Sequence, residues 1–382
     1  MFDNQSKELQ EMRESVRKLA HKLIPQFRSS EFYNTVPRRL FSSFAELGLA
    51  GLSIPEDYDG IAASAATSAA VLEEVAAVDL GPAIFISVHS MVSGIIARGG
   101  SEDQKRRYLP KMSSGEFLGA FALTEPSAGS DARNLKSSAK RDGDTFILNG
   151  SKCYITSAGW ADLYVTFAKT SENGEEGISC FIVEANTPGL IISSPEKKMG
   201  CELSPIASLT FENMRLAKSQ LLGTLHKGYA TALGGLAGGR VNIAACANGL
   251  SRTAIEKAVA HLNERQQFGS KLMEFQGLQF MLADMQMKYE AARLLTLNAA
   301  DLLDQATKSP EARMAPSIAK CYATDAAMQI TTDAVQLLGG AGYIKDYDVE
   351  RLMRDAKMLQ IVEGTNQIQR MLIARELAKA AA

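Results

Sequence analysis

The acid at position 363 keeps unusual company. In MLQIVEGTNQIQRML, residues 358–372, Glu363 follows Ile361-Val362 and precedes Gly364, Thr365 and a run of amides. A glutamate on an ordinary solvent-facing helix sits among other charges. Apolar surroundings can raise a carboxyl several units above its usual pKa of about 4.3, which suits a general base working near neutral pH. Ile361 and Val362 would help to supply that desolvation. The plainer reading makes Glu363 a helix-start acid complementing the helix dipole, and the segment by itself leaves both open.

Two further stretches carry polar groups. AFALTEPSAGSDARN (120–134) leaves a strand for a loop of small residues and hydroxyls, Thr124, Ser127 and Ser130, stiffened by Pro126. Such a loop exposes backbone N–H groups and small donors, which suits a flat polar heterocycle at a sheet edge. On composition alone, a simple strand-to-loop turn with an Asx cap at Asp131 is favoured. ERQQFGSKLMEFQ (264–276) puts Arg265 at a helix end before a break at Gly269. Its guanidinium suits a phosphate, although a helix C-cap cation is the simpler reading. No G-x-x-x-x-G-K-[ST] occurs, nor any strand-linked G-x-G-x-x-G. GGLAGGR (234–240) and LLGGAGY (337–343) lack that spacing and read as close helix packing or turns. Cys153, Cys180, Cys201, Cys246 and Cys321 are scattered and the four histidines isolated, so no metal site is expected.

The elements that must position these groups differ along the chain. Its 382 residues allow a large core and two or three structural units. With 46% hydrophobic residues, 22% charged and net charge −2, the composition disfavours nucleic-acid binding, and no uninterrupted apolar run reads as a membrane span. The amphipathic, mixed-charge start does not read as a signal peptide, and the odd, unpaired cysteines suit a reducing compartment. A soluble protein is expected, cytoplasmic if bacterial and in the mitochondrial matrix if eukaryotic.

Up to about residue 115 the period is helical, with Leu9, Met12, Val16, Leu19 and Leu23 on one stripe. From Phe117 to about Leu222, FLGAFALT, TFILNG, KCYIT, LYVTFAK and ISCFIVEA read as strands of a small antiparallel β domain. Asp142-Gly143, Asn149-Gly150 and Asn173-Gly174 serve as tight hairpin turns. After Gly228 the helical period returns, with Ile255, Val259 and Leu262 on one helix and Leu278, Met281, Leu282, Met285, Tyr289 and Ala292 on another. Breaks fall at Ser309-Pro310 and Gly339-Gly340. The chain is therefore expected to be α+β: a helical domain over 1–116, a β domain over 117–224 and an up-and-down helical bundle over 225–382.

Together and in this order, TEPSAGSD, QLLGGAGYIKDYDVERLMRDAK (336–357) and VEGTNQIQR (362–370) resemble the three motifs of the acyl-CoA dehydrogenase family. Ser127 stands where the family often has glycine. The resemblance covers nearly the whole chain and implies an FAD enzyme that oxidises an acyl-CoA thioester to the 2,3-enoyl-CoA. It implies that Glu363 removes the α-proton while the β-hydrogen leaves as hydride to the flavin N5. The thioester carbonyl would be bonded by the Glu363 backbone N–H and a ribityl hydroxyl. By position it assigns to FAD Phe121, Leu123, Thr124, Gly129 and Ser130; Tyr154, Ile155 and Thr156, with Tyr154 where another aromatic often stands; Arg265, Gln266, Gln267, Phe275 and Gln276; Gln336, Leu337, Leu338, Gly339 and Gly340; and Thr365, Asn366 and Gln367. Ser130, Arg240, Gly364 and Arg375 match substrate-side positions.

In this family some flavin contacts come from a neighbouring subunit, which implies a homotetramer built as a dimer of dimers. Ala237 stands where relatives often place Asp or Asn toward the ligand, so one CoA contact is in question. Some relatives carry their base at the place of Gly239, which leaves Glu363 as the matching candidate here. GGLAGGRVNIAACANG and HLNERQQFGSKLMEFQGLQFMLADM resemble isobutyryl-CoA dehydrogenases, implying a short branched acyl group from valine breakdown, within fatty-acid and branched-chain amino-acid metabolism. A straight short chain or 2-methylbutyryl is the near alternative, because hydrophobic pockets discriminate single methylenes weakly. An electron-transfer flavoprotein is the implied acceptor. An oxygen-using acyl-CoA oxidase and a non-catalytic binding or assembly module are the competing classes.

Overall fold

The computed structural model describes residues 7–28, 38–171, 177–306 and 309–380. The predicted N-terminal stripe lies on α1 (Lys7–Leu23), where Val16 is fully buried and Met12, Leu19 and Leu23 pack on the core. α2 (Arg38–Ala45) buries Leu40, Phe41 and Phe44. α3 (Ala65–Val78) starts at Ser64, whose hydroxyl accepts the Thr67 N–H at 3.0 Å. α4 (Leu80–Gly99) starts at Asp79, which accepts the Gly81 N–H at 2.9 Å. α5 (Glu102–Ser113) opens with a capping box of Ser101 and Gln104. By length and composition α4 could cross a bilayer, the only such helix among the described residues, yet 89% of that window is buried inside the protein. A helix apolar on every side is a core helix.

Eight strands follow: β1 (Gly119–Ala122), β2 (Ser138–Asp142), β3 (Thr145–Thr156), β4 (Leu163–Lys169), β5 (Ile178–Glu184), β6 (Leu190–Ile192), β7 (Ile206–Ala217) and β8 (Leu221–Leu222). They form one sheet in the order β6-β7-β3-β2-β4-β5-β8, with β1 on β4. The sheet is not wholly antiparallel as expected, because β1 and β2 both run parallel to β4. Of the expected turns, Asp142-Gly143 lies at a hairpin: Asp142 pairs with Thr145 and Gly143 has φ 59°. Asn149-Gly150 is no turn. It lies inside β3 opposite a bulge whose extra residue belongs to β7: Leu148 pairs with Met214 and Gly150 with Phe211, Gly150 takes φ 139° and Asn213 of β7 takes φ 46°. TFILNG and KCYIT are thus one strand. Turn and bulge both need positive φ, so the dipeptide marks the conformation without choosing between them. Asn173-Gly174 lies outside the described residues.

The C-terminal helices are α6 (Gly228–Glu264), α7 (Gln276–Asp304), α8 (Pro310–Leu338), α9 (Val349–Leu359) and α10 (Asn366–Ala380). A small hairpin of β9 (Gln266–Gln267) and β10 (Ser270–Lys271) joins α6 to α7. Both expected breaks are present: the Ser309 hydroxyl caps the Ala312 N–H at 3.1 Å, and Gly339 follows α8 with φ 59°. α6 packs on α8, α7, α3 and α4, which ties the bundle to the N-terminal helices.

One buried ion cluster fastens all three regions. Arg351 on α9 donates to Asp348 Oδ1 at 2.5 Å and to Asp355 Oδ2 at 3.0 Å, and lies 3.5 Å from Asp79 Oδ2. Arg28 reaches Asp79 at 3.0 Å, and Asp355 accepts the Cys201 N–H from the β region at 2.6 Å. Arg351→Met would strand buried acids whose uncompensated charge costs about 3–5 kcal/mol. A clear fall in the urea midpoint is expected, and a midpoint equal to wild type would show that the cluster is not holding the regions together.

Candidate active site

The base candidate sits in the turn between α9 and α10. Glu363 takes φ 57° and Gly364 φ 85°. Left-handed backbone at a glutamate costs on the order of 1–3 kcal/mol and persists only where surroundings enforce it. Here two fully buried side chains grip the turn. Lys320 Nζ, from α8, donates to the Gly364 carbonyl at 3.0 Å and to Asn366 Oδ1 at 2.8 Å. Gln369 Nε2 donates to the carbonyls of Glu363 and Gly364 at 3.0 and 2.9 Å. The amides of Ile361, Val362 and Asn366 have carbonyl partners, whereas those of Glu363, Gly364 and Thr365 donate to nothing among the described residues. The turn therefore turns its carbonyls inward and leaves three N–H groups free.

Glu363 as a whole is half-buried, but its Oε2 has no exposed surface and no hydrogen-bond partner. Desolvation raises the carboxyl from 4.5 to about 7, against the pull of Arg240 and Lys320 toward ionisation. Lys320, buried in turn, is lowered to about 8. Gly239 of α6 lies against the acid: a Cβ there would stand 2.7 Å from Glu363 Oε2 and 3.0 Å from its Cδ. Arg240, the next residue, has a buried Nε without a partner. The helix-start reading of Glu363 does not fit, because α10 begins only at Asn366 and the carboxyl caps no N–H.

The sheet-edge stretch is built around a second buried pair that sequence reasoning missed. Lys152 of β3 is fully buried; its Nζ donates to Glu125 Oε1 at 2.7 Å and to the Leu123 carbonyl at 3.1 Å. Glu125 also accepts the backbone N–H groups of Lys136 and of Ser137, the latter at 3.0 Å. The Cys153 N–H donates to the Thr124 carbonyl at 3.0 Å, so Phe121–Ser130 and Tyr154–Thr156 converge. The irregularity between Lys152 and Ile155 gives Tyr154 φ 58° and leaves it 68% exposed. Thr124 and Thr156 are half-buried and Gly129 and Ser130 exposed, while Leu123 and Ile155 turn their side chains into the core. The Asx cap on Asp131 is absent: the short helical turn at Ala132–Asn134 has no side-chain cap.

The remaining predicted residues scatter. Thr365 Oγ1 accepts the Ile368 N–H, and Gln367 is exposed. Asn366 is buried with its amide spent on Lys320, Thr324 and Asp325 of α8, so its side chain faces away from the open side of the turn. Arg375 is exposed on α10. Arg265, Gln266 and Gln267 are exposed at the far end of α6, about 38 Å from Gly239 at 1.5 Å rise per residue along a straight helix. Phe275 and Gln276 start α7 beside them. Gln336, Gly339 and Gly340 are exposed at the end of α8, with Leu337 and Leu338 buried, some 24 Å beyond Lys320 on the same count. One chain does not bring these two groups to Glu363.

Comparison with known proteins fits this arrangement. Family profiles described as acyl-CoA dehydrogenase N-terminal, middle and C-terminal domains match residues 6–116, 120–214 and 226–378. An acyl-CoA dehydrogenase of Bacillus subtilis (strain 168) is 42% identical over 96% of this chain and 97% of its own length. The mitochondrial isobutyryl-CoA dehydrogenase of Dictyostelium discoideum is 40% identical over 90% and 82%. The solved butyryl-CoA dehydrogenase of Megasphaera elsdenii superposes with a TM-score of 0.95 at 37% identity, covering 99% and 100%. The chain is thus an FAD-dependent oxidoreductase. It belongs to the acyl-CoA dehydrogenase family.

The residues present fit such a cofactor. Among the described residues, the hydroxyls of Thr124, Ser127, Ser130 and Thr156 have no hydrogen-bond partner, and the Cys153 N–H to Thr124 carbonyl bond joins the two stretches that carry them. Gly239→Ala tests the second wall. Displacing a reacting group by about 1 Å can cost on the order of a hundredfold, so turnover should fall at least tenfold while the protein keeps its FAD absorbance. Wild-type turnover would mean that the carboxyl does not work where it lies.

Proposed function

We propose that this acyl-CoA dehydrogenase oxidises a short, branched acyl-CoA of the isobutyryl type, with Glu363 as the base. The observation that carries the reading is the Glu363 carboxyl: desolvated, unpartnered at Oε2 and set beside free backbone N–H groups in the same turn. A thioester α-proton is too weakly acidic for an unaided carboxylate. The free N–H of Glu363 is available to the thioester carbonyl and would stabilise the enolate-like charge as the proton leaves. FAD, when bound, accepts the β-hydrogen as hydride, so that loss of one proton and one hydride gives the 2,3-enoyl-CoA. Glu363 takes the proton on a carboxylate oxygen, and burial of the group raises its proton affinity.

Several observations support the finer parts. The likeness to the Dictyostelium isobutyryl-CoA dehydrogenase favours a branched acyl group, and the absence of a side chain at Gly239 leaves the carboxylate uncrowded from α6. The Megasphaera likeness favours a second reading, butyryl-CoA. The wide separation of Arg265 and Gln336 from Glu363 supports a site completed by a second copy, in a homotetramer. Phe268 and Phe280, 95% and 63% exposed around that region, are apolar surface for such contacts. An electron-transfer flavoprotein is the proposed acceptor, Ser130, Arg240, Gly364 and Arg375 the proposed substrate contacts, and the residues matched above the proposed FAD contacts.

Anaerobic titration with isobutyryl-CoA should bleach the flavin faster than butyryl-CoA does; the reverse order would move the assignment to the straight chain. Steady hydrogen peroxide release in air would indicate an oxidase instead. Glu363→Gln should retain FAD and lose turnover. The base must be ionised, so kcat/KM should climb about tenfold per pH unit below pH 7 and level off above it. Because the folded carboxyl lies above its ordinary 4.5, its linked contribution to stability falls as pH rises from about 4.5 to about 7.

A further inference from the structure

The mechanism above uses the Glu363 carboxyl and its own N–H but not the two side chains that hold the turn. Lys320 and Gln369 are both fully buried, and between them they hold the carbonyl oxygens of Glu363 and Gly364. We propose that Lys320 and Gln369 are positioning residues for the reaction: by pinning these carbonyls toward the core they turn the Glu363 carboxylate and the neighbouring amides toward the substrate. The inference rests on the reading of Glu363 as base.

The geometry follows from the peptide group. In a trans peptide the C=O and N–H point to opposite sides. The Glu363 carbonyl shares its peptide with the Gly364 N–H, and the Gly364 carbonyl with the Thr365 N–H. Fixing both oxygens inward therefore faces both N–H groups outward, where they have no partner among the described residues. Gly364 is part of the device, since a Cβ there would stand 2.7 Å from Gln369 Nε2. Asn366 locks Lys320 in place, accepting from it at 2.8 Å while donating to Thr324 at 2.8 Å and Asp325 at 2.7 Å. Gln369 Oε1 has no partner, so the amide contributes through its donor end.

The two grips differ in charge. The charged groups facing the Glu363 carboxyl are Arg240 from α6 and Lys320 from α8, both favouring its ionised form. Gln369 orients without charge. Removing each should leave a different signature, which a general loss of packing would not.

The test uses the purified holoenzyme and whichever of isobutyryl-CoA and butyryl-CoA bleaches the wild-type flavin faster. Anaerobic bleaching rates are followed across neutral pH for wild type, Lys320→Met, Gln369→Leu and Glu363→Gln, with FAD content read from absorbance. Lys320→Met should lower the plateau rate at least about tenfold and move the pH midpoint up by about one unit, as expected for loss of a nearby opposite charge. Gln369→Leu should lower the plateau and leave the midpoint in place. Flavin-loaded variants with wild-type plateau and midpoint would overturn the proposal. If Lys320→Met does not fold, Gln369→Leu decides: a wild-type plateau overturns the proposal, a lowered plateau with unmoved midpoint supports it. A fast Glu363→Gln would instead sink the base assignment, so the two failures are distinguishable.

Discussion

A carboxyl oxygen buried without a hydrogen-bond partner is expensive, and Glu363 Oε2 is one among the described residues. Burying an ionised acid costs far more than burying a neutral one, and Glu363 responds by holding its proton to about pH 7. Arg240 and Lys320 prevent the shift from going further, which would leave the group protonated and useless at neutral pH. Around it lie no side chain at Gly239, no Cβ at Gly364 and, among the described residues, no acceptor for the amides of residues 363–365. Each would be a defect in an ordinary core.

Two buried lysines do comparable structural work in different parts of the fold. Lys152 gathers Glu125 and the Leu123 carbonyl, fixing where the chain leaves the sheet. Lys320 gathers the Gly364 carbonyl and Asn366, fixing where the chain enters α10. Each ammonium binds loop backbone to a regular element, so irregular stretches carrying polar groups are held as firmly as strands and helices. The Arg351 cluster then keeps the β region and α9 in register, with Cys201 and Asp355 as the point of contact.

Much of this was legible from residue types. Glu363 stands out because its neighbours are apolar, yet Ile361 is 56% exposed, and what lies against the buried carboxyl is Gly239 of α6. The helical stripes on α1 and α7 were visible because buried positions recur at helical spacing. Lys320 was not visible. In SIAKCYATD it reads as an ordinary solvated lysine, and its burial depends on a turn that docks 44 residues later. Glu125 and Lys152 were hidden for the same reason, being partners 27 residues apart that only the sheet brings together. β2, with the sequence SAKRD, lacks any apolar run and owes its strand to pairing with β3 and β4. The separation of Arg265 from Glu363 is a matter of helix length, measurable only once α6 is known to run unbroken.

The contact between Gly239 and Glu363 couples the sizes of two residues that lie far apart in the sequence. A side chain at position 239 would require the Glu363 carboxylate to shift, since a Cβ there would already stand 2.7 Å from its Oε2. Two positions far apart along the chain thus share one small volume, and a change of size at either is met at the other.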